Sequence, residues 1–289
     1  MMPPLPLCRA VPRIGCSTGA FKQRALIFID RSSLRSSIPS ASMSFCKDCI
    51  SGVRYEGTSE GTYEEINGIK TYVATPKVDY PKDKAVIYLP DVFGLELPNN
   101  LLLVDDFARN GFKVVAPDLF EGDPVPPDAL STGTFDLPTW ISKHSADHTG
   151  KRARKVIEGL KAKGITVYGA TGYCYGARLV FDLAFENLIH AAVVAHPSLL
   201  KPEDLDTYIE KSKVPLLINS CDDDNAFPKS FAEAADKKFA GFAPGYHRTY
   251  YEGASHGFAV RGDLSKPTVK AAKEGAFKES VQWLIKYLQ

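Results

Sequence analysis

Cys174 stands between two glycines in the run Gly172-Tyr173-Cys174-Tyr175-Gly176, directly after a β-rich segment and directly before an amphipathic helical pattern. A strand that turns sharply into a helix holds the residue at the turn in a strained backbone conformation, and flanking glycines give that turn room. A thiol there projects over the sheet edge at a helix N-terminus, whose positive end favours an anionic sulfur nucleophile. The competing reading is a small buried hydrophobe beside packing glycines. Two further polar groups follow in the chain. An apolar run, Val214 to Asn219, leads into Asp222, Asp223 and Asp224, and a strand-like run, Arg248 to Tyr251, leads past Gly253 to His256. Each group stands just beyond the C-terminal end of a strand, where open parallel sheets bind ligands. Nucleophile, acid and histidine in that order suit a triad in which His256 handles the thiol proton while an aspartate fixes its tautomer. The residues alone leave the choice among the three aspartates open.

GYCYGAR, the run from Asp224 to Pro228, and GASHGF together resemble the dienelactone hydrolase family, also called carboxymethylenebutenolidases, of the α/β-hydrolase superfamily. The resemblance spans roughly residue 46 to the C-terminus. In that family the acid precedes a proline by four positions, which implies Asp224 and leaves Asp222 and Asp223 as loop residues bonding local backbone. PDVFG, after the buried run Ala85 to Leu89, matches the loop that completes an oxyanion hole with the residue after the nucleophile, which gives the backbone N–H groups of Val92 and Tyr175. The resemblance also implies a supporting carboxylate near the resting cysteine at Asp91, where the family more often has glutamate; an ordinary turn aspartate is the alternative. Bacterial members hold a substrate carboxylate with arginines. Arg261 lies near one such position, displaced by one from the family spacing, whereas Arg178 reads as structural. Phe93 and Tyr173 are candidates for lining the substrate pocket, and Trp140, Tyr175 and Phe258 either join them or pack the core.

A thiolate attacks readily but is also readily expelled from a tetrahedral intermediate, so a cysteine suits substrates whose leaving group is already good. Enol esters and lactones fit that demand. The expected activity is hydrolysis of activated small esters or lactones through a thioester, with water activated by His256 in the second half. The alternative is a catalytically silent fold that binds a ligand or senses oxidation through Cys174. Neither reading requires a metal or a cofactor.

The elements that must carry these groups recur along the chain. Helical patterns fall at Asn99 to Arg109, Arg152 to Lys163, Lys229 to Phe239 and Val269 to Leu288, with strand-like runs at Lys113 to Ala116, Ile165 to Tyr168, Ala191 to Ala195 and Pro215 to Asn219. That alternation predicts an α/β fold, a mostly parallel central sheet with helices on both faces. Asn67-Gly68 predicts a hairpin supplying an antiparallel edge. The insertion from Asp118 to His148 is expected to form part of a cap or pocket wall. His144 and His148 are four apart, but Gly150 and the Ser/Thr-rich surroundings predict a loop there. His196, at a strand end, reads as a structural histidine near the pocket.

Thirty-five basic and 34 acidic residues leave a net charge of +1. The one basic cluster, KRARK at 151–155, reads as the solvated start of a helix, so no nucleic-acid footprint is expected. No apolar run reaches the ~20 residues of a membrane span. The partner implied is a small ester or lactone, and the resemblance implies a monomer or homodimer. Residues 1–42, rich in Arg, Ser and Pro with a single acidic residue, Asp30, read as a disordered extension, a mitochondrial presequence or a mis-assigned start before Met43. The expectation is a hydrolase domain over 43–289, a start at Met43 and a cytoplasmic protein, with mitochondrial import the alternative. Six cysteines in such a chain are not a disulfide framework. Cys46 and Cys49 lack the further ligands of a zinc site and read as structural or incidental, and Cys221 reads as buried beside the aspartates, within reach of a disulfide with Cys174.

Overall fold

The computed structural model describes residues 51–288. The extension over 1–42 and the Cys46–Cys49 pair lie outside them. Among the described residues the elements in chain order are β1 (Thr62–Ile66), β2 (Ile69–Ala74), β3 (Lys84–Leu89), α1 (Pro98–Arg109), β4 (Val114–Pro117), α2 (Ala129–Thr132), α3 (Leu137–Lys143), α4 (Ala146–Ala162), β5 (Val167–Tyr173), α5 (Tyr175–Phe185), β6 (Ala191–Ala195), α6 (Pro202–Lys211), β7 (Leu216–Asp223), α7 (Lys229–Lys238), β8 (Tyr246–Ser255), α8 (Phe258–Arg261) and α9 (Pro267–Tyr287).

The eight strands form one sheet in the order β1-β2-β4-β3-β5-β6-β7-β8. β3 to β8 run parallel, and the β1–β2 hairpin adds two antiparallel strands at one edge. The hairpin turns at Asn67 and Gly68, both with positive φ (49° and 76°), the conformation that makes Asn-Gly the preferred pair for a tight turn. Alternation along each strand divides the core. Ala85, Ile87 and Leu89 of β3 join the cluster under α4 to α7, whereas Val86 and Tyr88 join the cluster under α1, α8 and α9. The central strands are therefore apolar on both sides, as a sheet covered on both faces demands. No helix among the described residues is long and apolar enough to cross a membrane.

Several segments differ from the sequence reading: helix α6 is additional, and β8 runs through Gly253 to Ser255 instead of ending at Tyr251. Helix α4 begins at Ala146, six residues before the expected Arg152, and takes in His148 and Gly150. Ser145 caps it, its side chain accepting from the His148 N–H, and Gly150 is buried where an added Cβ would lie 2.6 Å from the Arg154 guanidinium; burial against a neighbour outweighs the glycine's poor helix propensity. Strand β5 continues past Tyr168 through the glycines to Tyr173.

At the end of β5 packing is closest. An added Cβ on Gly176 would stand 2.0 Å from the Leu89 carbonyl oxygen and 2.8 Å from that of Pro90, and one on Gly172 would stand 2.6 Å from the Gly176 oxygen. The opening of α5 thus lies directly against the exit of β3. Gly176→Ala is expected to cost roughly 3 kcal/mol or more of stability, whereas Gly68→Ala, which meets open space, costs roughly 1–2 kcal/mol for its positive φ. Urea denaturation of the two variants checks the order; equal losses would contradict the packing argument.

Candidate active site

Cys174 sits between β5 and α5 at φ 50°, ψ −110°. That conformation is strained for a residue with a Cβ, and main-chain bonds on either side hold it: the Cys174 N–H donates to the Ala195 carbonyl at 3.2 Å, and its carbonyl accepts from Ser198 N–H at 3.0 Å and Ala177 N–H at 3.2 Å. The side chain is 8% exposed. Its sulfur lies 3.4 Å from the Ser198 hydroxyl oxygen.

His256 follows β8, with its N–H bonded to the Asp223 carbonyl at 2.9 Å. Its Nδ1 donates to Asp224 Oδ1 at 2.9 Å. That same oxygen accepts from the N–H groups of Ala226 (2.9 Å) and Phe227 (3.1 Å), which fix the buried carboxylate after β7. Asp222 instead binds the Tyr250 hydroxyl at 2.6 Å, and Asp223 is exposed. Of the three aspartates, Asp224 is the one on the imidazole. Burial alone would lower the His256 pKa, but the Asp224 carboxylate and the Cys174 sulfur more than offset it and raise it to about 10. The ring is close enough to Cys174 for that electrostatic effect, although the sulfur's hydrogen bond of ordinary geometry goes to Ser198.

The N–H groups of Val92 and Tyr175 have no protein acceptor among the described residues. The close approach of Gly176 to Leu89 and Pro90 brings their two segments together. Asp91 is fully buried and does not meet Cys174. Its Oδ1 accepts from Asn100 Nδ2 at 3.0 Å and from the Phe93 N–H at 3.3 Å, and its Oδ2 pairs with Arg261 at 3.1 Å. The contact with the sulfur that the resemblance implied is replaced by an internal network, because the short aspartate side chain is already taken by its own loop and by α1 and α8. Burial raises its pKa against the pull of Arg261. Arg261 lies over the Phe93 ring, 4.7 Å from its centroid.

Phe93 and Tyr173 are both buried, at 2% and 3% exposure, and Tyr173 stacks on Tyr88 at 5.0 Å. They pack the walls of the site, with little surface to offer a substrate in this conformation. Trp140, from the segment between β4 and α4, packs on Phe120 and Tyr175, so that insertion covers the start of α5. Arg178 is structural, paired with Asp182 and Asp204. His144 and His148 part company, the first on Asp123 and the second on Glu121, and among the described residues no group of three metal-ligating side chains is gathered. Cys221 is a free, buried thiol 3.9 Å from Asp224 Oδ2, with its pKa pushed up to about 12 by burial and the neighbouring carboxylates.

Sequence reasoning passed over Ser198 and Asn100. Ser198 had a legible signal: it is a polar residue in the loop leaving β6, the strand beside the one that ends at Cys174, and such exit loops face the site in a parallel sheet. His196, in the same loop, is fully buried with both ring nitrogens unpartnered, its ring 5.0 Å from that of His256. It is a packed wall of the site and lacks the hydrogen bonds of a satisfied structural histidine.

Residues 69–288 match the model of the dienelactone hydrolase family. The chain belongs to that family. It is 34% identical over 246 residues to the hydrolase pyvD of Aspergillus violaceofuscus, covering 83% of this chain and 96% of that one. It is 30% identical over 244 residues to dienlactone hydrolase 1 of Gibberella moniliformis (82% and 91% covered) and 28% identical over 246 residues to the mouse carboxymethylenebutenolidase homolog (83% and 96%). The dienelactone hydrolase structure from Anabaena variabilis superposes with a TM-score of 0.55 at 13% identity, covering 79% of this chain and 99% of that one, a likeness of fold. The fold is that of the α/β-hydrolases, and this member is a hydrolase of the class that acts on ester or lactone bonds.

The site's electrostatics give a titration to measure. His256 should remain an imidazolium through neutral pH and lose its proton only as pH rises through about 10. In Asp224→Asn the largest raising influence is gone, so burial should bring the value down. NMR titration of the His256 ring checks this, and an unchanged value in the variant would contradict the assigned cause.

Proposed function

We propose that this hydrolase cleaves activated small esters or lactones, dienelactone-like enol esters among them, with Cys174 as nucleophile, His256 as acid and base, and Asp224 as orienter. The observation that carries the reading is the hydrogen-bonded pair of Asp224 and His256 beside a cysteine on a strained strand-to-helix turn.

In this reading the attacking form is the thiolate of Cys174, with His256 beside it as an imidazolium. The thiolate adds to the ester carbonyl carbon, and the carbonyl π pair moves onto oxygen, which receives the N–H groups of Val92 and Tyr175. One such donor lowers the barrier by roughly 3 kcal/mol. Collapse breaks the C–O bond, and His256 gives its proton to the departing oxygen, leaving a thioester and a neutral imidazole. His256 then takes a proton from water as the hydroxide adds to the thioester. The second collapse breaks the C–S bond, releases the carboxylic acid and restores the thiolate–imidazolium pair. A lactone follows the same steps, its leaving oxygen staying tethered to the acyl chain. Because an imidazolium starts the cycle, activity should decline on the alkaline side as His256 loses its proton.

Asp91 and Arg261 act together in this reading. Their ion pair joins the Val92 loop to α8, the short helix after His256, so the two supports of the reacting carbonyl keep one spacing. Cys174 and Cys221 are both buried thiols, and a simple test separates them. Cys174→Ala should reduce turnover of p-nitrophenyl acetate and of an enol lactone by roughly 10⁴-fold or more, and Cys221→Ala should keep most of it. Equal losses in the two variants, or turnover that survives in Cys174→Ala, would refute the assignment.

A further inference from the structure

The hydroxyl of Ser198 lies within hydrogen-bonding distance of the candidate nucleophile, 3.4 Å from the Cys174 sulfur. It has no other protein partner among the described residues, and Ser198 is half-buried. The loop that carries it is bound to the elbow twice. Ala195, the last residue of β6, accepts the Cys174 N–H, and the Ser198 N–H returns to the Cys174 carbonyl. Between them the chain turns at His196 with φ 39°, and after Ser198 it turns again at Leu199 with φ 61°. Two left-handed residues without glycine bring this hydroxyl back over the sulfur.

We propose that Ser198 is a further catalytic residue, whose O–H donates a hydrogen bond to the Cys174 sulfur and stabilises it as the leaving thiolate when the acyl-enzyme is hydrolysed. This rests on Cys174 being the nucleophile. A thiolate can only accept, so against that form the hydroxyl must be the donor. His256 cannot supply the same bond at the same moment. In the second half of the cycle it has just taken a proton from the attacking water and lies on the side of the incoming oxygen, while the C–S bond breaks and its electron pair returns to sulfur. The Ser198 proton stays on its own oxygen throughout, and no atom is transferred. The bond matters most where negative charge returns to sulfur and less in acylation, where it holds charge that the attack must release. A charge-assisted hydrogen bond of this kind corresponds to a change of roughly ten- to a hundredfold in rate.

The test uses the full chain with p-nitrophenyl acetate, followed by stopped-flow absorbance and intact mass. The first turnover reports acylation, and the steady state reports deacylation. Ser198→Ala should slow the steady state by roughly ten- to a hundredfold, keep the first-turnover rate within about threefold, and accumulate an acetyl adduct. Ser198→Thr, which keeps the hydroxyl, should restore turnover without the adduct. An Ala variant with unchanged steady state overturns the proposal. So does a parallel loss of both phases that Thr does not restore, since the main-chain bonds of Ser198 survive either change and such a loss marks a packing role. Cys174→Ala is run beside them. Turnover persisting in it rejects the nucleophile itself, and with it this role for Ser198, whereas an inactive Cys174→Ala with an unaffected Ser198→Ala rejects Ser198 alone.

Discussion

Everything in the site hangs on one backbone conformation, the φ of 50° and ψ of −110° at Cys174. A residue with a Cβ holds that geometry only when its surroundings over-determine it. Here the constraint comes from both sides. Gly176 seats α5 against the carbonyls of Leu89 and Pro90 with no space for even a methyl group, and Gly172 receives the Gly176 carbonyl in the same way. The elbow is then stapled to the exit of β6 through Ala195 and Ser198. The strain is balanced by the packing of three neighbouring strands, β3, β5 and β6, which is why the position of Cys174 is a property of the sheet's centre and not of one loop.

Sheet order does the rest. The strands that follow β5 on one side, β6, β7 and β8, end in the loops bearing His196 and Ser198, Asp224, and His256. Because they run parallel, all of those loops emerge at one edge. Asp224 is held by two backbone N–H groups of its own turn before it meets His256, so the imidazole finds a carboxylate already fixed in direction. On the other side of β5, β3 delivers the Val92 loop, and the buried network of Asp91, Asn100 and Arg261 ties that loop to α1 and α8. An ion pair is weak evidence for stability even with one partner buried; here it links the two flanks of the site.

Much of this was legible in the chain because the signals were local. Gly-x-Cys-x-Gly after a β-rich run, Asn-Gly between short strands, and apolar runs of strand length each depend on near neighbours, and the parallel sheet with an antiparallel edge followed from them. The start of α4 was not, since Gly150 and polar residues read as a loop until the Ser145 cap and the burial of Gly150 against Leu179 and Arg154 enter. The partners of Asp91 were equally out of reach. They come from residues 9 and 170 positions away, and a contact between distant segments leaves no periodic trace. Ser198 was missed for a related reason: its importance lies in a separation of 24 residues closed by the pairing of β5 and β6.

If Cys174 is the nucleophile, an acyl group passes through its sulfur during turnover. Acid-quenching the enzyme during turnover of an enol ester, digesting it and sequencing the modified peptide by mass spectrometry tests it directly. The expected result is a hydroxylamine-labile acyl group on Cys174, in the peptide that contains Tyr173 and Tyr175. Acylation of another residue, or turnover with no covalent species under conditions where deacylation limits the rate, would contradict it.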